Sequence, residues 1–176
     1  MVASKLDRNV LWPALIIATV VAVDQISKAL AVSHLTDGTS VEVLGRFLML
    51  TLVYNEGGAL GTNFGSSVYY LVSSLLVLGF VLYYLYLNRH NRMIAWPLAF
   101  ISGGALGNIL DRIRLDRVID FLDVDFFDVD ILGLHLERWW TFNIADAAIT
   151  CAIIVLVGSL LFSPKAPKSP PTAEQP

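Results

Sequence analysis

The sequence predicts an all-α membrane protein: four transmembrane helices with a small extracytoplasmic β-rich flap. Composition points there first. Hydrophobic types make up 56% of the 176 residues and charged types only 15%, with a mean hydropathy of +0.65. A soluble domain normally carries roughly 25% charge. The distribution of that charge is the second observation. Charge is absent from Val10 to Val23 and from Gly57–Asn88, Met93–Leu110 and Ala147–Pro164, the last three runs having 32, 18 and 18 residues. Roughly 20 apolar residues cross a bilayer as a helix, and lipid offers no water to satisfy an extended backbone. A net charge of −3 without a basic stripe excludes a nucleic-acid binder. The single cysteine, Cys151, lies in an apolar run, which excludes a disulfide framework or a Cys-rich metal site and leaves an inert packing role.

The spans are expected at about 11–33, 68–87, 93–112 and 142–162, so that residues 1–162 form one membrane-embedded domain. The last 14 residues, 163–176, hold five of the seven prolines and read as a disordered cytoplasmic tail. In the first span, Lys5, Arg8 and the Ala31-Val32-Ser33 triplet resemble a cleavable signal. Asp24 and Lys28 interrupt the apolar stretch, however, so the helix reads as uncleaved. Lys5, Arg8, Arg89, Arg92, Lys165 and Lys168 fall on one side of this topology and Arg46, Arg114, Arg117 and Arg138 on the other. The bias puts both termini in the cytoplasm. Trp12 and Trp96 would mark the inner interface, Trp139 and Trp140 the outer one. The two outer loops then fall at about 34–66 and 113–140. The first alternates Val41, Val43, Phe47, Met49, Leu50, Leu52 and Val53 between turn signals at Asp37-Gly38 and Asn55-Glu56-Gly57, and reads as short strands forming the flap.

Charges inside the spans are the strongest functional signal. An Asp or Lys at mid-span costs on the order of 2.5–3.5 kcal/mol on insertion scales, so such residues mark sites. They are Asp24 and Lys28 in the first span, Asp111 and Arg112 ending the third, and Asp146 early in the fourth. With the termini inside, all lie toward the outer half of the bilayer, and Asp120 comes next to them in a stretch that can fold back from the third helix. Asp24 and Lys28 are spaced i, i+4 and face each other; the lesser alternative is a self-neutralised pair that only aids insertion. Gly103 and Gly107 form a small-xxx-small packing stripe, beside a polar stripe of Gly104, Asn108 and Asp111. Those two stripes suit a bundle interior.

Five blocks carry a resemblance: Asp24-Gln25-Ile26-Ser27-Lys28, Asn55-Glu56-Gly57, Gly103 to Arg112, Val118-Ile119-Asp120-Phe121 and Phe142-Asn143-Ile144-Ala145-Asp146. In this order, over residues 10–162, they resemble the bacterial lipoprotein signal peptidase (signal peptidase II) family. The resemblance implies an inner-membrane aspartic endopeptidase that removes the signal peptide from diacylglyceryl-modified prolipoproteins, without metal or other cofactor. It implies Asp120 and Asp146 as the catalytic carboxyls. The supporting or substrate-binding positions it implies are Asn55, Gly57, Gly104, Asn108, Asp111, Arg112, Asn143 and Ala145, with Asp24 and Lys28 in the first helix. Lipid-modified precursors and membrane lipids would be its partners, and a monomer would suffice. Leu60 departs from the aromatic found there in many relatives, which bears on the substrate pocket and not on the chemistry. Two carboxyls sharing a site cannot both ionise cheaply, so one keeps a proton and acts as acid while the other activates water.

Other readings fare less well. Asp123, Asp125, Asp128 and Asp130 could suggest a divalent cation site, but their spacing fits no calcium loop and a solvated acidic loop accounts for them. His34, His90 and His135 are too scattered for a shared zinc. Ser27 and Lys28 are helix neighbours pointing about 100° apart, a poor serine–lysine dyad, and no Gly-x-Ser-x-Gly elbow exists. A proton-coupled transporter using Asp24, Asp111 and Asp146 lacks acids across the midplane. A non-enzymatic scaffold would leave the paired motif carboxylates unexplained.

Overall fold

The computed structural model describes residues 7–57, 65–125, 129–131, 134–136 and 140–162, so Leu60, Asp128, Arg138, Trp139 and the proline-rich segment 163–176 lie outside the described residues. Its elements in order are α1 (Arg8–His34), β1 (Ser40–Leu44), β2 (Leu48–Asn55), α2 (Ser67–Leu87), α3 (Arg92–Leu115), β3 (Val118–Val124), β4 (Val129–Ile131), β5 (Leu134–Leu136) and α4 (Ile144–Phe162). Four of the described helices are long and apolar enough to cross a bilayer. The fold is that of an all-α membrane protein carrying a small antiparallel sheet.

The third helix is the axis of the bundle: α1, α2 and α4 all pack on it. Its glycines explain why it can be central. A Cβ on Gly103 would sit 2.7 Å from the Val20 Cβ, one on Gly104 would sit 2.5 Å from the Ala145 carbonyl oxygen, and one on Gly107 would sit 2.5 Å from Asp24 Oδ2. The three glycines therefore bring α1 and α4 to backbone distance, which is how membrane helices gain packing energy without a hydrophobic drive between them. Apolar side chains that would be a liability in water point outward instead, among them Leu76, Phe80, Ile154 and Leu161. In a bilayer that surface is lipid-facing.

Two kinds of core sit at opposite ends. Leu85, Ala95, Leu98 and Ala99 form an apolar cluster with Trp12, Ile16 and Ile17 around it. Trp12 stacks on Trp96 at 5.7 Å and Arg89 approaches Asp7 at 3.5 Å, which gathers Arg8, Arg89 and Arg92 at this end. The other end holds the buried polar groups Asp24, Lys28, Asp111, Asp120 and Asn143.

Helix ends differ from the sequence expectation for local reasons. The first helix starts at Arg8 because Asp7 caps it, accepting from the Asn9 N–H. The third does not end at Asp111 and Arg112. It runs on to Leu115, with Arg112 and Arg114 in the last turn, where cations suit the carbonyl end of the dipole. Asp116 then turns the chain in the left-handed region (φ 58°), which Asp tolerates better than most residues. The fourth helix begins two residues late because Phe142 is taken by the sheet: its N–H donates to the Leu122 carbonyl (3.0 Å), and its carbonyl accepts from Phe121 (3.0 Å) and Leu122 (2.8 Å).

The flap strands appear where expected, but a third strand joins them. The sheet order is β1-β2-β3, all antiparallel. Between Leu50↔Leu122 and Val53↔Asp120 the register slips, so Thr51 and Leu52 stand opposite Phe121 alone. That bulge lies beside Asp120, a place where bulges commonly re-aim a side chain.

Gly104→Ala is expected to lower the thermal unfolding midpoint, because the new methyl meets a backbone carbonyl. Gly79→Ala, with nothing within 4 Å, is expected to be neutral or to stabilise by up to about 1 kcal/mol. Paired melting curves in detergent check both.

Candidate active site

The site is built outward from a buried ammonium. Lys28 Nζ lies 2.8 Å from Asp24 Oδ2 and 2.8 Å from Asp111 Oδ2, and donates to Asn108 Oδ1 at 2.9 Å. These side chains are at most 2% exposed for the three charged residues. A lysine has three N–H donors and no acceptor, so all three are used. The i, i+4 pair expected in the first span is present, and α3 completes it with a second carboxylate. The rest of each carboxylate is also satisfied. Asp24 Oδ1 accepts from the Ala145 N–H (3.0 Å) and Asp111 Oδ2 from the Ile119 N–H (3.2 Å). Gln25 Nε2 lies within reach of Asp111 Oδ1 (2.9 Å), Asp24 Oδ2 (3.2 Å) and the Gly107 carbonyl (3.2 Å).

The ammonium fixes the orientation of the Asn108 amide. Since Asn108 Oδ1 faces Lys28, its Nδ2 must face the other way, and it donates to Asp146 Oδ1 at 2.8 Å. Asn143 Oδ1 accepts from the Asp146 N–H (3.0 Å), and Asp146 Oδ2 accepts in return from the Asn143 N–H (3.4 Å). This is a reciprocal capping arrangement at the start of α4. The Asn143 amide is thereby left with Nδ2 to donate, and it does so to Asp120 Oδ1 at 2.7 Å. Asn108 Oδ1 (3.1 Å) and the Ile119 carbonyl (3.2 Å) are also within its range. Asp120 Oδ2 accepts from Asn55 Nδ2 at 3.0 Å. One buried asparagine, 0% exposed, thus touches both Asp120 and Asp146.

Electrostatics sharpen the pairing. Burial pushes the Asp120 carboxyl up to about 7, and the charge of nearby Asp146 pushes the same way, against the hydrogen bonds from Asn55 and Asn143. Arg112 approaches from the third helix; it donates to the Gly57 carbonyl at 3.1 Å, and the Gly57 N–H in turn donates to Asn55 Oδ1 at 2.9 Å. The Asn55-Glu56-Gly57 turn therefore positions Asn55 and anchors the arginine together.

All twelve residues singled out in the sequence thus come to one end of the bundle. Asn55, Asn108, Asn143 and Arg112 surround the Asp120 and Asp146 carboxyls; Asp24, Lys28, Asp111, Ala145 and Gly57 support them by the bonds just given; Gly104 admits the α4 backbone. The acidic run stands apart. Asp123 is buried in β3 with Thr51 Oγ1 3.0 Å from its Oδ2. Three contributors went unread in the sequence: the Gln25 side chain, Arg114, which donates to Gln25 Oε1 at 3.0 Å, and the Ile119 main chain. A second polar residue beside Asp24 inside an apolar span was the available signal for Gln25, since unbonded polar groups are costly there.

Removing one member of a buried charge cluster leaves the others uncompensated, so Lys28→Met is expected to destabilise by about 3–5 kcal/mol. Loss of a folded, monodisperse species on heating in detergent, measured against Arg92→Gln as a surface control, checks this.

Comparisons with known proteins agree with the geometry. The family model for signal peptidase (SPase) II matches residues 16–162. A lipoprotein signal peptidase from Chlorobium phaeobacteroides is 38% identical over 143 residues, covering 80% of this chain and 89% of that protein. One from Coxiella burnetii is 37% identical over 162 residues, covering 87% and 92%. Among solved structures, a bacterial membrane enzyme determined by the in meso method superposes with a TM-score of 0.75 at 29% identity, over 90% of this chain and 93% of that one. With the matched segment running through all four apolar helices and every block that builds the polar end, the chain belongs to the signal peptidase II family and is a membrane-embedded peptidase.

Proposed function

We propose that Asp120 and Asp146 work as a general acid–base pair that cleaves lipid-modified prolipoproteins on the N-terminal side of the lipidated cysteine. The observation that carries this reading is the shared asparagine. Asn143 holds one carboxyl by its side-chain amide and the other by a reciprocal cap, so both can address a single water. Lys28, the only lysine among the described residues, is already committed to Asp24 and Asp111. The pair is thus not quenched by an ammonium, and it retains a proton to donate.

In the ground state one carboxyl is ionised and one protonated, and the two titrate as a unit. The ionised member takes a proton from water as that water attacks the scissile carbonyl. The protonated member donates to the carbonyl oxygen. Collapse of the tetrahedral intermediate then passes a proton to the leaving amine and restores the starting state. Asn55 and Asn108 keep each carboxyl aimed while protons move, and Arg112 supplies a fixed positive charge beside the developing oxyanion. The carboxyl pair itself provides both proton transfers.

The position of the site suits its substrate. It lies at the bundle end opposite Arg8, Arg89 and Arg92, and those basic residues favour the cytoplasmic side. Both termini are then cytoplasmic and the carboxyls sit near the outer face of the inner membrane, level with a membrane-held lipidated cysteine. The flap presents exposed Val41, Val43, Leu44 and Phe47. We read this apolar edge as a cradle for the substrate beside the pair. A transporter reading loses ground, since Asp24 and Asp111 are locked to Lys28 and do not form a free relay.

Asp120→Asn or Asp146→Asn is expected to lower turnover by about 10³-fold or more while leaving the melting curve cooperative. Purified protein, incubated with a diacylglyceryl-modified precursor and with the same precursor unmodified, should release signal peptide only from the first, and a chelator should not matter. Undiminished processing by either variant would overturn the assignment.

The pH dependence follows from Asp120. With its proton lost at about 7, both members ionise and the acid disappears, so turnover should fall about tenfold per pH unit on the alkaline side. Stability carries the same sign: the folded carboxyl holds its proton more tightly than the unfolded one, whose ordinary value is 3.8. Its contribution is therefore complete below that value and is lost as pH rises through about 7. Asp120→Asn should flatten this part of the melting profile measured between pH 4 and 8.

A further inference from the structure

A cavity lies beside the polar network, between the last turns of α1 and the end of α3. Its volume is about 360 Å³, and neither Asp120 nor Asp146 lines it. Its walls are Ala29, Val32 and Ser33 of α1, Tyr54 of β2, and Arg114 and Arg117 just before and after the turn at Asp116. Lys28 and Asp111 form part of the floor; with Asp24 behind them that buried cluster holds one ammonium and two carboxylates, so the positive charge of the cavity rests on Arg114 and Arg117 alone.

The two arginines make the cavity cationic. Arg114 gives one N–H to Gln25 Oε1, and Arg117 lies over the Tyr54 ring at 4.2 Å. Both are exposed. Among the described residues no carboxylate lies within ion-pair distance of either guanidinium. Each fork is oriented by a neutral partner, an amide or a ring, and keeps its charge and most of its five N–H donors available. Around this mouth the surface is apolar: Ile26, Leu30, Val32, Ile113 and Leu115 are all exposed. Cations at the ends of membrane-spanning helices, bordered by lipid-facing aliphatics, lie at headgroup depth.

We propose that this cavity binds the phosphate of an anionic phospholipid, with its acyl chains laid along α1 beside Ile26 and Leu30. A phosphodiester offers the paired oxygens that guanidinium forks match. The two positive groups favour a headgroup with net negative charge over a zwitterion, whose own cation would meet Arg114 and Arg117. Through Arg114 and Gln25 the bound headgroup stands three hydrogen bonds from Asp24 and Asp111.

The test is a lipid titration of the delipidated full chain in detergent, read by native mass spectrometry and by the melting midpoint. Phosphatidylglycerol is expected to bind saturably and about tenfold more tightly than phosphatidylcholine. Arg114→Gln/Arg117→Gln is expected to bring phosphatidylglycerol down to the phosphatidylcholine level. Arg117→Gln alone, which removes only a surface ring contact and keeps the Arg114–Gln25 bond, should lose about half of that preference on a logarithmic scale, roughly threefold. Arg92→Gln, with the same charge change at the far end of α3, should bind as the parent does. Inorganic phosphate at matched concentration should not displace the lipid. Unchanged phosphatidylglycerol binding by both arginine variants, an equal loss in Arg92→Gln, or displacement by inorganic phosphate or by a soluble acidic peptide would each overturn the proposal. None of these readouts depends on peptide cleavage, so failure here leaves the reading of Asp120 and Asp146 untouched.

Discussion

The buried Lys28 ammonium is the group around which the polar end of the molecule is arranged. A group with donors and no acceptors, sealed from water, must be met by acceptors on all sides. It finds two carboxylates and the oxygen of Asn108. That last contact forces the Asn108 amide to present its nitrogen to Asp146. The capping exchange at Asn143 then turns a second amide nitrogen toward Asp120. Asn108 and Asn143 are thus each held in one orientation, with a nitrogen toward Asp146 and Asp120 respectively. Satisfied buried networks are rigid for this reason.

The cost of such a network is met by geometry rather than by composition. Buried ion pairs stabilise little against apolar packing unless their remaining bonds are complete, and here main-chain groups complete them. The Ala145 N–H serves Asp24 and the Ile119 N–H serves Asp111. Both lie where an element begins, at the first turn of α4 and at the start of β3, so their N–H groups are not consumed inside a helix. The sheet reinforces this arrangement by gripping Phe142 through Phe121 and Leu122, one residue before the cap. The strand that carries Asp120 and the helix that carries Asp146 are therefore fastened directly to each other.

Much of this was legible in the sequence, and the limits are physical. Charge-free runs announce the helices because lipid penalises charge, and the same penalty makes Asp24, Lys28, Asp111 and Asp146 conspicuous. The flap strands betray themselves by alternation. The strand holding Asp120 does not, because nearly every residue from Val118 to Val124 is buried and a strand covered on both faces shows no period of two. The extra turn of α3 was hidden because Asp111 and Arg112 look like a water-exposed end, whereas both are sealed by tertiary partners. Gln25 was overshadowed by its charged neighbour; its part in joining α1 to α3 depends on a contact 86 residues away, which no local pattern encodes.

The separation of partners along the chain has a consequence for biogenesis. The first helix enters the membrane during translation long before its tertiary ligands exist: the backbone group that completes Asp24 is made 121 residues later. Until then the i, i+4 neighbour Lys28 is the counterion at hand, and it lets the nascent segment partition as an electrically neutral unit. Emergence of α3 then offers that lysine a second carboxylate, and emergence of α4 closes the cluster. Assembly of the polar end is consequently one late event, for Asp120 and Asp146 come to share Asn143 only when the final helix to be synthesised has docked.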